Sequence, residues 1–104
     1  MAGTFVRGSV ETVTAAGAAT TSKMPADFRV SITNAPGDNA YPISSFTWLL
    51  FYENPKDKKA AKIMVDFMKW ALTDGQEYCA GLGYAPLPPS VAQLDLEALK
   101  RIRL

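Results

Sequence analysis

Hydroxyl side chains gather where one apolar run begins. Ser44, Ser45 and Thr47 lie just before or within "FTWLLFY", residues 46–52. Hydroxyl groups at the start of a strand can donate hydrogen bonds to an oxyanion. The preferred interpretation is nevertheless that they bond across a sheet or cap the preceding turn. Arg29 is a further weak candidate for ligand binding, and no binding motif surrounds it.

The sequence contains no recognisable set of catalytic residues or metal ligands. It contains no histidine and one cysteine, Cys79, so the commonest general base and the commonest metal ligand are missing. Asp66 and Asp74 are too isolated to form an acid–base pair, and we interpret Cys79 as a small apolar residue rather than a nucleophile. We therefore predict neither an enzyme nor a metal site, and no cofactor.

The glycine-containing stretches do not have the spacing of a phosphate-binding loop, and "GLG" at 81–83 is interpreted as a helix stop. Four large side chains at helical spacing are predicted to belong to the core rather than to a cofactor site: Met64, Phe67, Met68 and Trp70.

The composition limits the kinds of binding partner that this chain is expected to have. The chain has 104 residues, 48% of them hydrophobic, and a formal net charge of +1. Lysine and arginine do not collect on one face, so neither nucleic acid nor an anionic membrane is predicted as a partner. No apolar run is long enough to span a membrane, and the N-terminus lacks the pattern of a signal peptide.

Three helices are predicted. Ser9 is a plausible N-cap for a helix over 9–18, although a flexible linker over 14–22 is an alternative because glycine and threonine weaken helices. Asn54 and Pro55 form a start signal for the second helix. The third is predicted over 90–103, with an inward face made by Val91, Leu94, Ala98, Leu99 and Ile102.

Two strands are predicted between the first two helices. Residues 28–33 alternate between apolar and polar, and the run 41–52 does not alternate in its second half, which is typical of a strand covered on both faces. The order α-β-β-α-α predicts an α/β fold. Two strands make a marginal sheet, so we expect the sheet to be incomplete without further strands. An upstream part of the protein, a partner chain or a second copy would supply them.

Three motifs carry a resemblance to a known family: "YPISSFTW" at 41–48, "FMKWALTDGQ" at 67–76 and "LGYAPLP" at 82–88. From about Gly3 onward, the chain resembles the C-terminal portion of the periplasmic phosphate-binding subunit of bacterial phosphate ABC transporters. The resemblance implies a type II periplasmic-binding-protein lobe. It also implies inorganic phosphate and ABC permease subunits as partners of the complete protein, and a periplasmic location.

The same resemblance implies an organisation in three parts. Residues 1–34 would provide a helix and a strand on the side of the second lobe and hinge, and 35–45 the crossing between lobes. Residues 46–104 would form the C-terminal part of the first lobe. The family's phosphate ligands lie in earlier parts of its chain, so none is transferred to this sequence. We expect a structural segment; the alternative is a stand-alone dimeric module that no longer binds phosphate.

Overall fold

The computed structural model describes residues 3–104, so the first two residues of the predicted segment 1–34 lie outside the described range. The chain forms three α-helices joined by extended segments and short 3-10 turns. The helices are α1 (Val10–Ala18), α2 (Lys58–Ala71) and α3 (Pro89–Leu99), and the 3-10 turns are Thr21–Lys23, Asp74–Tyr78 and Ala80–Leu82.

The prediction of α1 is confirmed, including its cap. The Ser9 hydroxyl accepts a hydrogen bond from the Thr12 backbone N–H at 3.2 Å, and the Thr12 hydroxyl accepts one from the Ser9 N–H at 2.9 Å. This reciprocal pair satisfies N–H groups that have no partner within the first turn. Glu11 lies in that turn, near the positive end of the helix dipole. The linker alternative is wrong because the helix continues to Ala18.

The second helix is present, but it begins later than predicted. Asp57 is the N-cap of α2, and its carboxylate accepts the Ala60 backbone N–H at 3.0 Å. The amide oxygen of Asn54 instead accepts a hydrogen bond from the Lys58 ammonium at 2.7 Å. Residues 54–57 therefore belong to the approach to the helix, because the aspartate, not the asparagine, satisfies its first free N–H.

The predicted α/β fold is wrong for this chain, since no strand occurs anywhere in residues 3–104. The first predicted strand is interrupted at both ends by left-handed backbone. Phe28 has a φ of 62° and Asn34 a φ of 54°, values that a strand does not contain. Phe28 donates its N–H to the Pro25 carbonyl, three residues earlier, which closes a turn. Asn34 donates its N–H to the Pro42 carbonyl, eight residues later in the chain.

The second predicted strand, 41–52, has no strand partner in the described chain. Residues 43–52 take part in no backbone–backbone hydrogen bond within the part of the chain that the structure describes. Side chains at 48–52 are exposed, Leu50 by 92% and Tyr52 by 84%. The run has the composition of a buried strand and lies open on the surface of this chain.

Buried residues form one small cluster and a few contacts between helices. The cluster contains Ala16, Ile32, Ala35 and Ala40, with Ala19 and Phe46 against it. α1 packs on α3, and the Thr14 hydroxyl donates to the Pro86 carbonyl at 2.8 Å, which joins α1 to the segment before α3. Because most of these residues are alanine, the cluster buries little apolar area.

The chain is more expanded than a closed domain of its size. Its accessible surface is 7486 Å² and its radius of gyration is 15.1 Å. A closed domain of this mass exposes roughly 5,700 Å² and has a radius of gyration of about 13 Å. The surplus surface lies on apolar side chains that have nothing against them in this chain.

The predicted core stripe of α2 illustrates that surplus. Phe67 is 57% exposed, Met64 45% and Trp70 47%, and Met68 is half-buried. The side of α2 that packs inward instead centres on Val65 and Leu72. The prediction that the stripe is core is wrong for this chain, because helical periodicity shows which residues share a face and not what covers it.

The C-terminal third follows the prediction more closely. Gly83 ends the 3-10 turns in the left-handed conformation, with a φ of 84°, as expected of a helix stop. α3 begins at Pro89 and ends at Leu99, four residues before the predicted end. Val91 and Leu99 of its predicted inward face are buried. Arg103 lies beyond the helix and donates its N–H to the Glu53 carbonyl at 2.6 Å.

Candidate functional site

The hydroxyl groups singled out in the sequence make local hydrogen bonds. Ser44 is buried, and its hydroxyl donates to the Tyr41 carbonyl at 2.8 Å. The exposed Ser45 donates to the Phe46 carbonyl at 3.1 Å. These bonds fix the turn that leads into the extended run. Such local bonds are consistent with the preferred interpretation stated for these hydroxyl groups. A role of the three residues in ligand binding stays a prediction.

Arg29 and Thr47 are exposed and lie apart from any polar cluster in the described chain. The Arg29 Nε donates to the Asp27 carboxylate at 2.7 Å, and the Arg29 side chain is 85% exposed. That hydrogen bond holds the pKa of Asp27 below its usual range. The guanidinium is thus engaged with a carboxylate of its own turn. Thr47 lies on the wall of a groove beside Phe46.

One concave feature of the described chain is an open cleft of about 1030 Å³, here called the apolar groove. The extended run forms one wall, and α1, α2, α3 and the segment before α3 form the others. Its apolar lining includes Phe46, Leu49, Phe51, Leu72, Leu87 and Leu99. Four charged side chains also belong to its lining: Asp27, Glu53, Asp95 and Arg101.

Gln76 lines the groove, and both polar atoms of its side-chain amide are hydrogen-bonded. Its Nε2 donates to the Ala71 carbonyl at 2.8 Å, and its Oε1 accepts the Leu87 N–H at 2.8 Å. The Cys79 sulfur lies 3.9 Å from the same oxygen and is half-buried. Gln76 therefore ties the end of α2 to the segment before α3. Both polar atoms of its amide are engaged in hydrogen bonds within the chain.

Asp95 is the feature that the sequence analysis missed. It lies on α3, half-buried, and lines the apolar groove. Its carboxyl group makes no hydrogen bond or ion pair with any residue of the described range. Removal of water from this carboxyl raises the pKa of Asp95 to about 6. Helical spacing could have marked it, because Asp95 lies four residues after Val91 and four before Leu99, on the predicted inward face of α3.

Replacing Asp95 by asparagine should stabilise the chain at neutral pH. The pKa of Asp95 is higher in the folded chain than the ordinary value of 3.8, so the folded state is favoured by protonation. Its contribution is fully present below about pH 3.8 and is lost as pH rises through about 6. Allowing for partial exposure, Asp95→Asn should raise the free energy of unfolding by about 1 to 2 kcal/mol at pH 7.5.

Urea unfolding followed by circular dichroism at pH 3.5 and pH 7.5 measures this effect. At pH 3.5 the variant should match the parent. Asp74→Asn, at an exposed position, is the control and should change stability by less than about 0.5 kcal/mol at either pH. An Asp95→Asn variant no more stable than the parent at pH 7.5 would show that the carboxyl group is well solvated.

The part of the chain that the structure describes holds neither a metal-binding cluster nor a membrane-spanning helix. Across residues 3–104, no three histidine, cysteine, aspartate or glutamate side chains lie close enough together to hold a metal ion. In the same range, no helix has both the length and the apolar character needed to cross a bilayer.

Comparison with curated proteins finds relatives that share one name. The chain is 40% identical, over 97% of its length, to the phosphate-binding protein PstS of Methanocaldococcus jannaschii. It is 36% identical over 88% of its length to the protein of that name from Xylella fastidiosa, and 32% identical over 88% to that of Pasteurella multocida. No family model and no solved structure matches the chain.

The match covers only part of each relative. The chain spans 29% of the length of the Methanocaldococcus protein, 25% of the Xylella protein and 27% of the Pasteurella protein. Most of each relative therefore has no counterpart in these 104 residues.

Proposed function

This chain belongs to the family of the phosphate-binding protein PstS, and on that premise we propose that it is a C-terminal segment of a phosphate-binding protein serving ABC-type phosphate uptake. The segment's role is structural, and the residues that bind phosphate lie in the remainder of the protein. The complete protein binds inorganic phosphate, delivers it to ABC permease subunits and acts in the periplasm. It is a binding protein and not an enzyme.

The observation that carries this proposal is the open apolar surface on a chain of this family. An accessible area of 7486 Å², against roughly 5,700 Å² for a closed domain of this mass, is what a part of a larger fold exposes. The apolar groove and the unpaired run 43–52 are two open parts of that surface. The remainder of a PstS-length protein covers both in the proposed complete molecule.

The polar groups of the segment support a structural role. The hydroxyls of Ser44 and Ser45 donate hydrogen bonds to backbone carbonyls, and the Arg29 Nε donates to the Asp27 carboxylate. An oxyanion site needs several donors aimed at one point, and these donors are aimed at their own chain. The proposal therefore assigns the phosphate ligands to the part of the protein outside the match.

The isolated chain is expected to bind no phosphate. Isothermal titration calorimetry of the 104-residue chain with phosphate, and with sulfate as the control anion, should give only the heat of dilution for both. Selective, saturable heat with phosphate would contradict the proposal. Alanine variants at Ser44, Ser45, Thr47 and Arg29 would then show whether these four residues provide the site.

A second proposal, a stand-alone dimeric module, is favoured by one observation, the unpaired backbone of residues 43–52. In such a module a second copy covers the run and phosphate is not bound. Sedimentation equilibrium distinguishes the two proposals. A discrete dimer that unfolds cooperatively supports the module, and open-ended association supports a segment separated from its own remainder.

A further inference from the structure

Two basic stretches that lie far apart in the sequence meet in the structure. The Lys58 ammonium donates a hydrogen bond to the Arg103 carbonyl at 2.8 Å, across a separation of 45 residues. The Arg103 N–H donates in turn to the Glu53 carbonyl at 2.6 Å. These bonds hold the start of α2 beside the chain that follows α3. We call the resulting surface the basic patch. It consists of four exposed residues: Lys56, Lys58, Lys59 and Arg103.

The expectation that lysine and arginine do not collect on one face is therefore wrong for this chain. Residues 56–59 alone carry three lysines and one aspartate, and the fold adds Arg103 to them. The neighbouring cations Lys100 and Arg101 are left out of the patch because both are engaged elsewhere. Lys100 pairs with Glu97 at 3.1 Å, and the Arg101 guanidinium donates to the Ala26 carbonyl at 2.8 Å.

The charges of the patch are not neutralised by its surroundings. Within residues 3–104, none of the four side chains forms an ion pair with a carboxylate. The Lys58 ammonium contacts two neutral acceptors, the Asn54 amide oxygen at 2.7 Å and the Arg103 carbonyl. The Asp57 carboxylate accepts the Ala60 N–H as the N-cap of α2. The patch thus presents its positive charge to solvent.

Three of these cations lie where they weaken α2. Lys58 and Lys59 belong to the first turn of the helix, and Lys56 precedes it, at the positive end of the helix dipole. Helices favour aspartate or glutamate in this turn, as α1 has with Glu11, whereas the first turn of α2 contains no acidic residue. Lysines that destabilise the helix they begin are better explained by a partner than by folding.

We propose that the basic patch docks this chain on an anionic lipid surface, by attraction between its cationic side chains and lipid phosphates. Clusters of four or more lysine and arginine residues bind such surfaces, each cation adding to the attraction. The inference rests on the proposed function for its purpose, because an ABC permease lies in a membrane. A patch of this kind would concentrate the binding protein near the permease that it supplies.

A lipid surface fits the patch better than an acidic protein does. Lysine is depleted in protein interfaces, and three of the four patch residues are lysines. None of the four lines the apolar groove, so the patch is not part of the cleft that could seat a peptide. Lipid phosphates form a diffuse layer of charge. Flexible lysine side chains meet such a layer without the shape complementarity that a protein partner requires.

Co-sedimentation of the 104-residue chain with lipid vesicles tests the proposal. The vesicles contain phosphatidylcholine with or without phosphatidylglycerol. At about 0.1 M salt the chain should bind the phosphatidylglycerol vesicles, and its affinity should fall about tenfold or more at about 0.5 M salt. Equal binding to both kinds of vesicle that salt does not change would overturn the proposal, because that binding would come from the open apolar surface.

Two charge reversals on the same helix locate the binding surface. Lys59→Glu changes the patch, and Lys69→Glu changes an exposed lysine in the last turn of α2. The two positions are about 15 Å apart along the helix, more than the Debye length of about 10 Å at 0.1 M salt. Lys59→Glu should weaken binding to phosphatidylglycerol vesicles about tenfold or more, and Lys69→Glu by no more than about threefold. Equal effects would overturn the assignment to the patch, since both variants change net charge equally.

Thermal unfolding of the same variants separates loss of docking from loss of folding. Lys59→Glu places an anion at the positive end of α2, so its thermal midpoint should not fall below that of the parent. Lys69→Glu places an anion at the negative end and should lower the midpoint. The variant with the stronger helix is thus expected to be the one that loses lipid.

The other results separate this inference from the proposed function. A chain that binds polyglutamate in a manner sensitive to salt and to Lys59→Glu, but binds no vesicles, would overturn lipid docking and assign the patch to an acidic protein. Failure to bind vesicles leaves the proposed function standing, because phosphate titration tests that separately. Vesicle binding through the patch would support lipid docking even if the phosphate proposal failed.

Discussion

Truncation of Ile32 to alanine is expected to remove most of the cooperative stability of this chain. Ile32 is 2% exposed and is the one large aliphatic side chain among the alanines of the buried cluster. Replacing a buried isoleucine by alanine costs about 2 to 5 kcal/mol, from lost apolar burial and from the cavity that remains. A chain with so small a core has little stability beyond that amount. Urea unfolding followed by helical circular dichroism measures the loss.

Ile43 provides the matched control, because the same side chain is 78% exposed there. Ile43→Ala should change the free energy of unfolding by less than about 0.5 kcal/mol. Equal effects of the two substitutions would show that the cluster around Ile32 does not hold the chain together. A large effect at Ile43 alone would mean that residues 43–52 are covered in solution, and that self-association contributes to the measured stability.

Placing a charge in the exposed run is expected to suppress self-association strongly. Residues 48–52 carry five large apolar side chains, and no charged residue or proline interrupts 43–52. Segments of this kind associate through their backbone groups and apolar side chains. Leu50 is 92% exposed, so Leu50→Lys adds charge without disturbing a packed side chain. The association constant should fall about tenfold or more, since burial of one leucine contributes about 1.5 to 3 kcal/mol.

Sedimentation velocity over a range of concentrations measures that change. The control is Leu82→Lys, because Leu82 is also exposed, by 73%, and lies outside the run. It should leave association within about twofold of the parent. If Leu82→Lys lowers association as much as Leu50→Lys does, the decrease comes from the added net charge and not from a contact made by the run 43–52.

Helix positions could be predicted from this sequence because their signals are local. The capping pair of Ser9 and Thr12 needs only four consecutive residues, and Gly83 ends its turns through its own backbone freedom. The start of α2 was harder, because Asn54 and Asp57 are both good N-cap residues and the chain uses the second. Local sequence alone does not decide between two such caps.

The predicted strands failed for a different reason. The composition of 46–52 is suited to burial, but a strand exists only where another backbone accepts its hydrogen bonds. Residues 43–52 find no such partner in the described range, and they remain extended and open. The periodicity of α2 likewise identified the apolar residues, but periodicity does not show what packs against them, and most of them are exposed.

The features of the groove were only partly accessible from the sequence. Ser44, Ser45 and Thr47 were identified by residue type, and the hydrogen bonds of both serines turned out to be local. Asp95 was overlooked, although helical spacing places it on the predicted inward face of α3. Its raised pKa results from removal of water in a groove that segments distant in sequence line together. A site assembled from separate segments becomes visible only when the fold brings them together.

The most direct test of the central claim is phosphate titration of two proteins, the isolated chain and a chimera in which this chain replaces the matching segment of Methanocaldococcus jannaschii PstS. If this chain is a structural segment of a phosphate-binding protein, the chimera should bind phosphate in preference to sulfate while the isolated chain gives no heat. A folded chimera that does not bind phosphate, or an isolated chain that binds it by itself, would contradict the account.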